Sequence, residues 1–183
     1  MRWESLFADL EAQLESKLAE DLREEIAESI RIEKARQRLS DRLLGLVGKN
    51  LAFRLSGAQE VTGRVGPVGQ DYLCLEEAAV NWLIRLESVR SIALADQTLS
   101  PNGTLSQVKF GAVVRAMLRD RQAVQVFALD GALLGEGILQ QAAEDFLVLG
   151  IHPRDEFARP RNLQGRVLIP YRAVGWITGQ HPD

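Results

Sequence analysis

Apolar residues recur at two periods along this chain, and the change of period divides it. Between Trp3 and Ile30 they stand mostly four apart: Trp3, Phe7, Leu10, Leu14, Leu18, Leu22, Ile26 and Ile30. Neither glycine nor proline occurs from Met1 to Leu44, a stretch dominated by Glu, Ala, Leu, Arg and Lys. These are good helix formers, so the pattern predicts one long helix over residues 3–47, with Gly45 and Gly48 as stops. A break near Ser40-Asp41, capping a short second helix that ends at Gly45, is the alternative. From Asn50 the period falls to two. Leu51, Phe53 and Leu55 alternate with polar or small residues, which is the mark of a half-buried strand. Strands are predicted at 50–56, 59–67, 72–76, 81–86 and 90–94. A linker follows at 96–107, holding Pro101, Asn102 and Gly103. Then comes a helix at 108–119 with Val113, Met117 and Leu118 turned inward, and strands at 123–129, 133–140, 145–151, 166–171 and 175–178.

The second set of strands repeats the first. Residues 53–75 recur 74 positions later without a gap: Phe53 matches Phe127, Gly57-Ala58 matches Gly131-Ala132, Gly63 matches Gly137, and Asp71 matches Asp145. The match resumes at an offset of 85, where Leu83-Ile84, Val89 and Ile92 pair with Leu168-Ile169, Val174 and Ile177. The second copy therefore carries an insertion at 152–165. The helix at 108–119 matches the stretch around Leu39–Leu46, so the unit is a helix followed by five short strands. A second strand bent at Gly63 would let five strands close on themselves and remove exposed edges. The expected fold is mainly β with α: a long N-terminal helix (1–39), a first barrel (40–95), a linker (96–107) and a second barrel (108–179) with the insertion.

The succession of a helix, L-x-F-x-L-x-G, V-x-G-x-V, D-Y-L-x-L, an apolar strand and a one-turn link resembles the Sm-like fold among SH3-like barrels. Sm proteins close into rings and bind uridine-rich RNA, so each RNA-contacting position needs its own comparison. Where that family places an Asn ahead of the apolar end of its third strand, this chain has Tyr72 and Phe146. Where an Arg-Gly or Lys-rich turn follows the fourth strand, this chain has Arg85-Leu86-Glu87 and Pro170-Tyr171-Arg172. The resemblance thus implies the fold without the RNA pocket. The whole arrangement, an R-W-E-x-L-F-x-D-L-E start on a long acidic helix before two such units, also resembles an uncharacterised family from high-GC Gram-positive bacteria. That likeness implies architecture and a cytoplasmic origin.

The long helix needs a reason to exist. A helix of 40 residues would run about 60 Å, longer than a barrel of this size is wide. Four-residue spacing drifts by about 40° per step, so the apolar stripe winds and is not a heptad seam. Charge is segregated along it: nine acids face three bases up to Ser29, and five bases face two acids from Ile30 to Arg42. One reading is a solvated face with ordinary i,i+4 neighbours. The other is antiparallel pairing with a second copy, acidic half against basic half, through Trp3, Phe7, Leu10, Leu14, Leu18, Leu22 and Ile26.

Composition narrows the chemistry. The 183 residues carry a net charge of −3, which offers no global attraction for nucleic acid. One cysteine, Cys74, excludes an internal disulfide and reads as a small core residue in a strand. No N-terminal stretch resembles a signal peptide and no run approaches the ~20 apolar residues of a membrane span; the expectation is a cytoplasmic protein without membrane contact. The two histidines, His152 and His181, form no Cys/His cluster, and no nucleophile-elbow, P-loop or dinucleotide-binding motif occurs. No cofactor or metal is expected, and no enzymatic constellation. Trp3, Trp82 and Trp176 read as core or docking residues, with Trp3 the one placed to anchor a partner. The insertion is the best local candidate for contact. It brings Arg154, Arg159 and Arg161 close to Phe157, a composition used on single-stranded nucleic acid, though Asp155 and Glu156 offset it. The function expected is a non-enzymatic interaction or assembly module, homodimeric through the N-terminal helix. The alternative is an RNA- or single-strand-associated protein using the insertion and the basic segment Arg31–Arg42.

Overall fold

The computed structural model describes residues 3–94, 105–151 and 165–180, and of residues 3–6 and 8 the backbone only. The chain divides into two compact units, Met1–Arg38 and Leu39–Asp183. The first holds helix α1, Trp3–Arg36. At 34 residues it is about 51 Å long. It ends just ahead of the alternative break at Ser40-Asp41, and a six-residue helix α2, Leu39–Leu44, starts the second unit. Helix propensity alone would carry α1 onward. Ser40, Leu43 and Leu46 are instead buried in the core under the sheet, and tertiary packing overrides propensity there.

The second unit contains ten strands in one antiparallel sheet. They are β1 (Asn50–Leu55), β2 (Glu60–Val68), β3 (Tyr72–Glu77), β4 (Val80–Arg85), β5 (Val89–Ala93), β6 (Ala123–Ala128), β7 (Leu133–Ala142), β8 (Phe146–Ile151), β9 (Gly165–Pro170) and β10 (Val174–Gln180). Helix α3, Phe110–Asp120, precedes β6. The spatial order is β5-β1-β2-β3-β4-β10-β6-β7-β8-β9, so each half lays its fifth strand beside its first and its fourth at the far side. Positions matched by the sequence offsets make matching hydrogen bonds. Gly69 N–H donates to Tyr72 O at 2.9 Å and Ala143 N–H to Phe146 O at 2.9 Å; Leu86 N–H donates to Asp71 O at 3.0 Å and Tyr171 N–H to Asp145 O at 2.8 Å. A one-turn 3₁₀ link joins the fourth and fifth strands in both halves.

The hydrogen-bonded ladder is open rather than closed. The edge of β4 that would complete a barrel is taken by β10, with Ile84 opposite Trp176 and Leu83 opposite Ile177. Burial alternates along β1 as the sequence pattern requires, with Leu51, Phe53 and Leu55 inside. The bend of β2 lies elsewhere than expected. Its register with β3 shifts between Val65 and Val68, around Pro67, which suits a residue lacking the ladder N–H. Gly63 pairs regularly with Leu51; a Cβ there would stand 2.8 Å from Glu76 O, so this glycine serves close backbone approach.

Two cores lie under the sheet, and each borrows from the other half. One gathers Leu43, Leu46, Phe53, Leu73 and Ile84 with Trp176 from β10. The other gathers Phe110, Val114, Val126, Leu147 and Ile177 with Tyr72 and Leu83 from the first half. In α3 the inward residues are Phe110 and Val114, while Val113, Met117 and Leu118 are only partly covered.

Candidate interaction surfaces

Helix α1 carries the first candidate surface. Phe7, Leu10, Leu14, Leu18, Leu22 and Ile26 are each 50–60% exposed, an unusual number of large apolar side chains for one helix. Ile30 and Ile32 are exposed as well. Polar contacts on this helix are local: Gln13 donates to Asp9 Oδ2 at 3.0 Å, and Arg31 pairs with Glu28 at 2.7 Å. Such exposed pairs stabilise by only a few tenths of a kcal/mol, so they leave the apolar stripe as the dominant feature. The side chain of Trp3 lies outside the described residues. So do Arg154, Phe157, Arg159 and Arg161, with the rest of the insertion up to Gln164.

The seam between β4 and β10 is the second. Trp176 is buried and stacks on Phe127, with ring centroids 5.3 Å apart and planes at 18°. Its indole N–H has no hydrogen-bond partner. Arg85 reaches across the seam, donating to Tyr171 O at 2.7 Å, pairing with Glu87 at 3.0 Å and lying 5.4 Å from the centre of the Phe110 ring. Asp71 Oδ1 accepts the Phe110 N–H at 3.1 Å, fixing the first turn of α3. Ser88 Oγ lies 2.7 Å from Arg85 O and 3.0 Å from Gly175 O, and Ser56 Oγ donates to Ser88 O at 3.1 Å. The matched turns also touch. Gly57 and Gly131 both have positive φ; a Cβ on Gly57 would strike the backbone at Asp130, and one on Gly131 would crowd Gly57 Cα at 3.0 Å.

Two clefts flank this seam. One of about 380 Å³ is lined by Cys74, Trp82, Leu83, Met117 and Val124. Trp82 donates its indole N–H to Glu77 Oε2 at 3.1 Å on its rim. Burial, with the Glu76 charge added, pushes the Cys74 thiol up to about 11. It therefore stays protonated and a poor nucleophile at neutral pH. The other cleft, of about 490 Å³, holds Arg85, Phe110, Asp145 and Tyr171. Burial also raises the Tyr171 phenol; Arg115 pulls it down and Asp145 pushes it up. Among the described residues no three His, Cys, Asp or Glu side chains converge as metal ligands, and no helix is long and apolar enough to cross a membrane.

Trp176 reads from the sequence as a core or docking residue, but the pairing of β4 with β10 does not, although a signal for it exists. Arg85, Ser88 and Trp176 fall where the two copies disagree: their counterparts are Pro170, Ala173 and Ser91. No family model, curated protein or solved structure matches this chain.

Proposed function

We propose that this protein is a non-enzymatic assembly module, in which a tandem pair of Sm-like halves forms the body and α1 pairs with α1 of a second copy. The observation that carries the reading is the exposed stripe from Phe7 to Ile26. Six large side chains left in water forgo ~1.5–3 kcal/mol each relative to full burial, a strong drive towards association. Antiparallel pairing also places the acidic N-terminal stretch against the basic segment after Ile30, which relieves the like-charge neighbours within each helix. Trp3 belongs to the same spacing and would join the interface. Light scattering on the full chain is the test. At low micromolar concentration the mass is expected at twice 20.3 kDa; the double substitution Leu14→Glu with Leu18→Glu is expected to return it to a single chain. A wild-type chain of monomer mass overturns the proposal.

A further inference from the structure

The cleft of about 380 Å³ beside β4 is opened by one glycine. Under α3 the sheet presents side chains in rows across β4, β10 and β6, since every second residue of a strand faces the same side. In one row Leu83, Ile177 and Val126 are all buried in a single core. The next row on that face is Asn81, Gly179 and Val124. Its middle position has no side chain, and Gly179 lines the cleft. Backbone geometry does not require glycine there. Its φ is not left-handed, and a Cβ would meet nothing closer than Val124 Cγ1 at 3.6 Å. Under the offset of 85 the matching residue is Leu94. The fold would therefore accept a side chain that closes the row, and the chain leaves it open.

The walls of the opening are apolar. Cys74 and Leu83 come from the sheet, Val113 and Met117 from one face of α3, and Val124 from β6. The rim carries charge of one sign. Glu76 lies two residues beyond Cys74 on β3, and Asp120 one turn beyond Met117 on α3. No Lys or Arg among the described residues lines the cleft, and neither carboxylate forms an ion pair with another described residue. Arg64 stands opposite Glu76 on β2, but its guanidinium turns to Gly48, 4.0 Å from where a Cβ would be. The Glu76 charge is felt at the floor, where it adds to the rise of the Cys74 thiol.

The geometry points to a small organic amine as the occupant, its hydrocarbon or aromatic body between α3 and the sheet and its ammonium group at the rim with Glu76 and Asp120. An apolar enclosure with a few placed polar groups is the ordinary form of a small-ligand site. Burial of the body supplies the affinity. The two carboxylates supply the selection, attracting a cation and repelling phosphates and organic acids. Every lining residue belongs to Leu39–Asp183 and none to α1, so the site is separate from association through that helix.

Phenethylamine is the probe, set against phenethyl alcohol and hydrocinnamate, which keep its aromatic body and change its charge. Calorimetric titration of the full chain at neutral pH and low salt is expected to show binding of the amine in the millimolar range. The alcohol is expected to bind about fivefold more weakly, as loss of contacts to exposed carboxylates implies, and hydrocinnamate not at all. Glu76→Gln with Asp120→Asn, both at exposed positions, is expected to weaken the amine about fivefold and leave the alcohol unchanged. Gly179→Leu is expected to abolish binding of both while its mass by light scattering and its urea midpoint stay those of wild type. No binding of the amine at millimolar concentration, equal affinity for amine and alcohol, or undiminished binding by the Gly179→Leu chain overturns the proposal. A changed mass for Gly179→Leu would assign the cleft to contact between copies and overturns it as well.

Discussion

The two halves of the sheet share a sequence pattern and a strand order, yet the same positions meet opposite environments. Leu83 is sealed between the halves while Leu168 faces solvent; Trp176 is buried in the first half's core while its counterpart is an exposed serine. Positions that serve each half alone do not diverge in this way. Leu73 and Leu75 are buried, as are their counterparts Leu147 and Leu149. Burial at the edge strands is therefore set by the neighbouring strand, and the residue chosen there reports whether a fixed neighbour exists.

The sharpest way to break that comparison is to remove the plug. Trp176→Ala is expected to cost about 3–5 kcal/mol, the range for deleting a buried large aromatic. Its counterpart change, Ser91→Ala, should stay within about 0.5 kcal/mol, as exposed substitutions do. Trp176→Phe should recover most of the loss, because the indole N–H it removes has no partner. Urea unfolding at dilute concentration reads all three. Equal losses at positions 176 and 91 would show that the two edges are not differently loaded.

A smaller effect is expected at the touching turns. Gly57→Ala forces a Cβ into a left-handed residue (φ 66°) and into the backbone at Asp130; about 2–3 kcal/mol is expected. Gly48 is equally left-handed (φ 83°), but the nearest atom to its Cβ, on the Arg64 side chain, is 4.0 Å away. Gly48→Ala should cost only about 1 kcal/mol, the conformational part alone. The difference between these urea midpoints measures the packing of one turn on the other, and it vanishes if the halves do not press together there.

Strand positions were legible because alternation and the repeat are local signals, and each predicted strand is found within two residues. The open ladder was not. Five strands with a bend permit closure, and nothing within one copy says that β10 will take the edge of β4. Gly63 illustrates the same limit: a glycine in a strand signals a bulge or a close approach with equal force, and only the position of Glu76 decides. The end of α1 was legible only as one of two readings, the break near Ser40-Asp41, because Leu39–Leu44 has the composition of a continuing helix, while burial of Leu43 and Leu46 is a tertiary fact. The apolar spacing of α1 was legible in full, and its exposure gives that spacing its meaning.

The gentlest comparison sets Cys74 against its counterpart Val148. Cys74→Val keeps the size and apolar character of the side chain, so stability at pH 7 should change by less than about 1.5 kcal/mol. The pH dependence should change more clearly. The folded thiol titrates near 11, above its ordinary 9.0, so between these values the folded chain holds a proton that the unfolded chain has released. Stability from this group is complete below pH 9 and falls as pH rises towards 11, by at most about 1.4 kcal/mol per unit. Cys74→Val removes that fall. Tyr171, also raised, titrates in the same direction in both proteins and cancels in their difference. Urea midpoints at pH 8, 9, 10 and 11 should therefore show wild type losing stability relative to the variant. If the two decline in parallel, the cleft beside β4 admits enough water to ionise the thiol, and the first half's edge is less well sealed than Leu83 suggests.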